Sequence, residues 1–158
     1  MKKTEILVTA LNSNIENWVI LNDFDCYDDF IDHCVELFEG VESPELIFKD
    51  KIGEKQLFNL ITESEIDPEI WDLLNCEDPD QILALMKAKN IGSPLDAINY
   101  HDENFLGEYY SDTKFVQESE GFDNSVPDHI HINWEKTAED VMSNYGYMEV
   151  EGHYYKDI

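Results

Sequence analysis

Apolar and polar positions along the chain change period several times, and each change marks an element. Glu5–Ala10 is a strand-like apolar run. Asn12, Ser13 and Asn14 supply turn chemistry, and residues 18–21 read as a second strand, so the two predict a hairpin. From residue 23 to 45 the period becomes helical. Tyr27, Phe30, Ile31, Cys34, Val35 and Phe38 fall on one face, and Asp25, Asp28, Asp29, Asp32, Glu36 and Glu39 on the other. Asp23 or Asp25 is the expected N-cap and Gly40 the stop. Residues 46–49 read as a third short strand, and 49–55 as a basic, Gly-containing connection.

The next part is helical. Asp67-Pro68, Asp78-Pro79 and Ser93-Pro94 each place Pro at a first helical position. They open helices over Glu69–Asn75 (Trp71 and Leu74 inward), 80–89 (Ile82, Leu85 and Met86 inward) and 95–100. Further on, residues 104–110 form a strand candidate. Asp112 caps a helix ending at Gly121, and Asn133 caps Trp134–Asn144, which Gly146 stops. Tyr147–Val150 and His153–Lys156 alternate around Glu151-Gly152, a hairpin pattern. The expected class is α+β, an elongated chain of three small modules. Residues 1–52 hold a small antiparallel sheet plus the acidic helix, 53–102 a short-helix bundle, and 103–158 a mixed α+β module.

Charge changes this picture. The 158 residues carry a net charge of −26, from 36 Asp and Glu against 10 Lys and no Arg. With 42% hydrophobic and 12% aromatic residues the chain can bury a core, unlike a disordered acidic tail. Residues 23–45 hold nine acids and no base, and eight more acids lie between Lys55 and Lys87 without a base. Asp25/Asp29, Asp28/Asp32 and Asp32/Glu36 are like-charge pairs four apart, each costing roughly 0.2–0.5 kcal/mol in an exposed helix. A surface maintained at that cost is a candidate for function beyond solubility. It repels DNA, RNA and anionic lipid and attracts basic surfaces. The lack of Arg, the preferred fork for phosphate, argues against a nucleotide-phosphate enzyme.

The chain carries few of the residue patterns that catalysis needs. Cys26, Cys34 and Cys76 are odd in number and lack metal spacing, which points to a reducing cytosol. The N-terminal apolar run is too short for a signal peptide, and no window approaches a membrane span. His129 and His131 would share a face on a strand, but no third ligand has metal spacing. Asp23, Asp25 and Asp28 hint at a calcium loop whose Gly and closing Glu are missing. His33 and Cys34 are helix neighbours that point apart. Trp18, Trp71 and Trp134 read as core residues. Neither a cofactor nor enzymatic activity is expected.

Residues 18–21 with the acidic helix, 44–50, 61–64, 71–73, 107–109, 122–135 and 149–155, in that order, resemble the ArdA family of antirestriction proteins. Residues 18–21 followed by the acidic helix are similar to the family's opening, and Pro44-Glu45-Leu46-Ile47-Phe48-Lys49-Asp50 to its Pro-Glu-x-x-Phe-x-Asp segment. Ile61-Thr62-Glu63-Ser64, Trp71-Asp72-Leu73 and Gly107-Glu108-Tyr109 fall where the family has a Ser-Glu step, a Trp helix and a Gly-x-Tyr turn. Phe122, Val126, Pro127, Asp128, Ile130, Ile132, Trp134 and Glu135 resemble its antirestriction motif, with His129, His131 and Asn133 more polar than is usual there. Residues 149–155 look like its closing hairpin.

The resemblance implies a cytoplasmic DNA mimic from a mobile element or phage. Such a protein occupies the DNA groove of type I restriction-modification enzymes and often pairs as a homodimer through the third module. It does not itself bind nucleic acid or membranes. The charge fits: at one phosphate per about 1.7 Å of duplex, 26 charges span roughly 44 Å, about 13 base pairs. The carboxylates expected to stand in for phosphates are Asp25, Asp28, Asp29, Asp32, Glu36 and Glu39, extended by Glu63, Glu65, Glu69 and Asp72. The alternative is an acidic immunity protein that neutralises a basic toxin such as a nuclease.

Overall fold

A computed structural model describes residues 1–119 and 127–157. They form a mixed α+β structure with two small antiparallel sheets. The chain divides into two compact units, Met1–Asp96 and Ala97–Ile158.

In the first unit β1 (Glu5–Ala10) is the central strand, between β2 (Glu16–Ile20) and β3 (Leu46–Ile52). The predicted hairpin forms, with Leu7 opposite Trp18 and Thr9 opposite Glu16. Strand β3 runs further than expected. Glu5 still pairs with Ile52 because a bulge at Leu7/Val8 absorbs the extra residue. Residues 49–52, read as part of a connection, are therefore strand, and the edge expected near residue 52 lies inside the first unit. Lys51 reaches under the sheet and donates to the carbonyls of Phe58 (2.7 Å) and Ile61 (2.6 Å), pinning the short 3-10 turn Lys55–Leu60.

Alternation turns Ile6, Val8, Val19 and Phe48 inward, where α1 (Tyr27–Glu36) buries Phe30 and Cys34. Burying each large apolar side chain contributes about 1.5–3 kcal/mol. Helix α2 (Glu69–Asn75) starts at the expected residue, but with Pro68 as its N-cap and not as its first helical residue; α3 (Pro79–Lys89) does begin on its Pro, one residue before the expected 80. Asp78 caps α3 by accepting from the Gln81 N–H at 3.1 Å. On α2 the buried positions are Ile70, Trp71 and Leu73, whereas Leu74 is only half-buried. Helix α4 (Pro94–Asn104) runs past the expected residue 100, and the boundary between units falls within it.

The second unit adds β4 (Phe105–Glu108), α5 (Asp112–Glu118), α6 (Trp134–Asn144), β5 (Tyr147–Val150) and β6 (His153–Lys156). The hairpin β5–β6 forms as read, and β4 joins its other edge. Ser111, one residue before the expected Asp112, caps α5 by accepting from the Lys114 N–H. That frees Asp112 to accept a 2.7 Å hydrogen bond from the buried Tyr154 hydroxyl. Burial and this carboxylate raise the Tyr154 pKa well above its ordinary value. Phe115, Val116, Ala138, Val141 and Tyr154 make the core, with Trp134 packed against it. Gly121 lies outside the described residues.

Candidate functional site

The acidic helix α1 is held by aromatic packing. Phe30 lies 5.5 Å from Trp71 and 6.2 Å from Phe48 between ring centroids, and Tyr27 meets Trp71 edge-on at 5.8 Å. Trp71 Nε1 donates to the Phe24 carbonyl (3.1 Å), and Asn75 Nδ2 donates to the Asp25 carbonyl (2.8 Å). Phe24 and Cys26 have extended backbone, and the helix starts later than the pattern suggested. Its N-cap is Cys26, which makes no side-chain capping bond, and neither Asp23 nor Asp25 caps it. Asp25 thus precedes the helix and Glu39 follows it, leaving Asp28, Asp29, Asp32 and Glu36 on the helix itself. The like-charge pair Asp25/Asp29 loses its helical geometry; Asp28/Asp32 and Asp32/Glu36 keep theirs. Asp28 and Asp29 sit in the first turn, against the positive end of the dipole, and Asp32 and Glu36 lack that compensation.

The extension of the acidic surface comes from two places. Glu63 and Glu65 are exposed in the tight turn closed by the Ile61/Ile66 bridge, where Thr62 Oγ1 accepts from the Glu65 N–H at 3.0 Å. The Phe48 N–H donates to the Glu63 carbonyl (2.9 Å), fastening that turn to β3. Asp72 is exposed on α2, which also carries the Trp71 that packs on α1. Glu69 differs. It is half-buried, and its carboxylate accepts a 2.6 Å bond from Ser93 Oγ and a longer one from the Leu95 N–H. It serves the start of α4.

Among the described residues, none of Asp25, Asp28, Asp29, Asp32, Glu36, Glu39, Glu63, Glu65 and Asp72 pairs with a cation. In the first unit Lys3 goes to Asp23 and Lys49 to Glu16. Chemically, such a surface accepts charge-assisted hydrogen bonds from Lys and Arg of another molecule. Beside it a groove of about 470 Å³ is lined by Tyr27, Leu60, Thr62, Glu65, Ile66 and Asp67.

The other candidates are dispersed. Phe122 and Val126 lie outside the described residues. Pro127, Asp128, Ile130 and Glu135 are exposed, Ile132 is half-buried, and Trp134 packs on the core of its unit. His129 and His131 are exposed in a turn and irregular backbone, so the strand that would align them is absent. Among the described residues no group of three or more His, Cys, Asp or Glu is arranged to hold a metal ion. Cys34 is fully buried, and burial pushes its thiol up to about 12. Of the three tryptophans read as core, Trp71 is buried, Trp134 partly so, and Trp18 is 44% exposed. Trp18 sits on the outer side of an edge strand, which alternation alone could not separate from the inner side. No described helix is long and apolar enough to cross a membrane.

In comparisons with known proteins, the chain matches no protein-family model, no curated protein and no solved structure.

Proposed function

We propose that this protein is a DNA mimic that binds the DNA-binding groove of a type I restriction-modification enzyme and competes with DNA for it. The observation that carries the reading is the set of exposed carboxylates on and around α1 and α2, which have no cation partner among the described residues. They stand on a packed aromatic base. Pre-positioned charge of this kind suits Lys and Arg residues that otherwise hold phosphates. Because phosphate contacts position DNA without reading its sequence, a carboxylate surface can replace them regardless of the recognition site. In this reading no bond is made or broken, and the protein acts stoichiometrically.

The test is to titrate the protein into a type I methyltransferase core bound to labelled DNA. Displacement at micromolar protein and low salt is expected, with log affinity falling steeply against log salt as bound ions are released. No displacement under those conditions refutes the reading. Tight capture of a basic nuclease toxin in its place would support the immunity alternative.

A further inference from the structure

The outer face of the first sheet is chemically unlike the acidic surface. The register puts Trp18, Leu7 and Asp50 in one row across the strands, and Ile20, Glu5 and Ile52 in the next. Trp18 is 44% and Ile52 53% exposed, while Leu7 and Ile20 are half-buried. At the far end Lys49 pairs with Glu16. Glu5 and Asp50 have no cation partner among the described residues; Asp50 accepts only the neighbouring Lys51 N–H at 2.8 Å. The face is therefore an indole among aliphatic side chains, with two carboxylates free to pair.

We propose that this face is a second contact surface for a basic protein, seating a Lys or Arg side chain over the Trp18 indole. A cation is drawn to the ring face. Its hydrocarbon stem can cover Ile20, and a second cation of the same partner can bond the Asp50 carboxylate, two strands away across Leu7. Charge complementarity selects this occupant. A second copy of the chain, itself at −26, would bring Glu5 and Asp50 against the same acidic face. The inference rests on the DNA-mimic reading for the partner's identity and adds a component of different physics. Affinity from the helix acids should fade with salt, whereas affinity from a buried indole should not.

The experiment is the DNA-displacement assay run at several salt concentrations with wild type, Trp18→Ala, Trp18→Phe and a triple variant, Asp28→Asn, Asp32→Asn and Glu36→Gln. Trp18→Ala should weaken competition by about tenfold or more, as expected for an aromatic anchor. That ratio to wild type should hold across salt, and Trp18→Phe should recover most of the loss. The triple variant should lose most at low salt and have a flatter salt slope. Far-UV circular dichroism and thermal melting establish that each variant is folded. Undiminished competition by folded Trp18→Ala overturns the inference and leaves the mimic reading intact, as does a loss that fades with salt like that of the triple variant. A concentration-dependent dimer in sedimentation that Trp18→Ala abolishes assigns the face to self-association and also overturns it. If wild type displaces no DNA at all, the mimic reading falls and this inference falls with it.

Discussion

Replacing Asp32 by Lys should make the protein more stable and a weaker competitor of DNA. Asp32 is exposed in the middle of α1, with no hydrogen bond or ion pair to another described side chain. Asp28 lies one turn before it and Glu36 one turn after. At present both neighbours repel it; a lysine would attract both, and Asp28 would stand N-terminal to the lysine, the better orientation. Removing two repulsive pairs and gaining two attractive ones should stabilise the first unit by about 1–2 kcal/mol at low ionic strength. With a typical urea dependence, the midpoint should rise by roughly 0.5–1 M. The assay is urea unfolding at low salt and again at about 0.5 M salt, where screening should remove most of the gain. In the displacement assay the same variant should bind less tightly and with a shallower salt slope. An unchanged or lower midpoint at low salt would refute the claim that these carboxylates are held in mutual repulsion. A raised midpoint with undiminished competition would show that α1 is not the contact surface.

Two further outcomes follow from the packing. Gly53 has φ +132°, and an added Cβ would lie 2.7 Å from Thr4 Cα and closer still to the Lys3 carbonyl, so Gly53→Ala should destabilise the first unit by about 2–4 kcal/mol in urea unfolding. At alkaline pH, stability should fall as pH rises from 9 toward 12. The buried Cys34 thiol, pushed up to about 12 from 9.0, keeps its proton in the native state while the unfolded chain loses it. Urea midpoints at pH 8, 9 and 10 check this, and Cys34→Ala should flatten the decline between 9 and 10; an equally steep decline in that variant refutes it.

The elements were largely legible in the chain because their signals are local. Strand β1, helices α2 and α6 and the hairpin β5–β6 fall where alternation, Asp-Pro pairs and the Asn133 cap put them. The apolar stripe of α1 was legible too, with Phe30 and Cys34 buried on the helix and Phe38 buried in the turn after it, although Val35 on the same stripe stays 38% exposed. Two of the misplaced boundaries lie where a distant partner overrides local preference. Asp23 and Asp25 are good capping residues, yet Trp71 and Asn75 claim the carbonyls of Phe24 and Asp25 and delay the helix to Tyr27. The basic run 49–52 resembles a linker, yet pairing with β1 through a bulge makes it strand.

What the chain determined by itself is its charge, the base-free tracts that concentrate it, and a helix with carboxylates along one whole face. These are one-dimensional properties, set by residue order and the 3.6-residue period. Tertiary structure decided which carboxylates are available. Glu69 reads like its neighbours, but the start of α4 folds back onto it, and Ser93 Oγ and the Leu95 N–H both bond to one of its oxygens, Oε2. Tertiary structure also decided which aromatics are covered. Trp71 is inside because α1 packs on it, whereas Trp18 is left half in solvent because its side chain rises from the outer face of the sheet. Periodicity shows that two faces exist, and only packing between distant segments determines which of them meets the core.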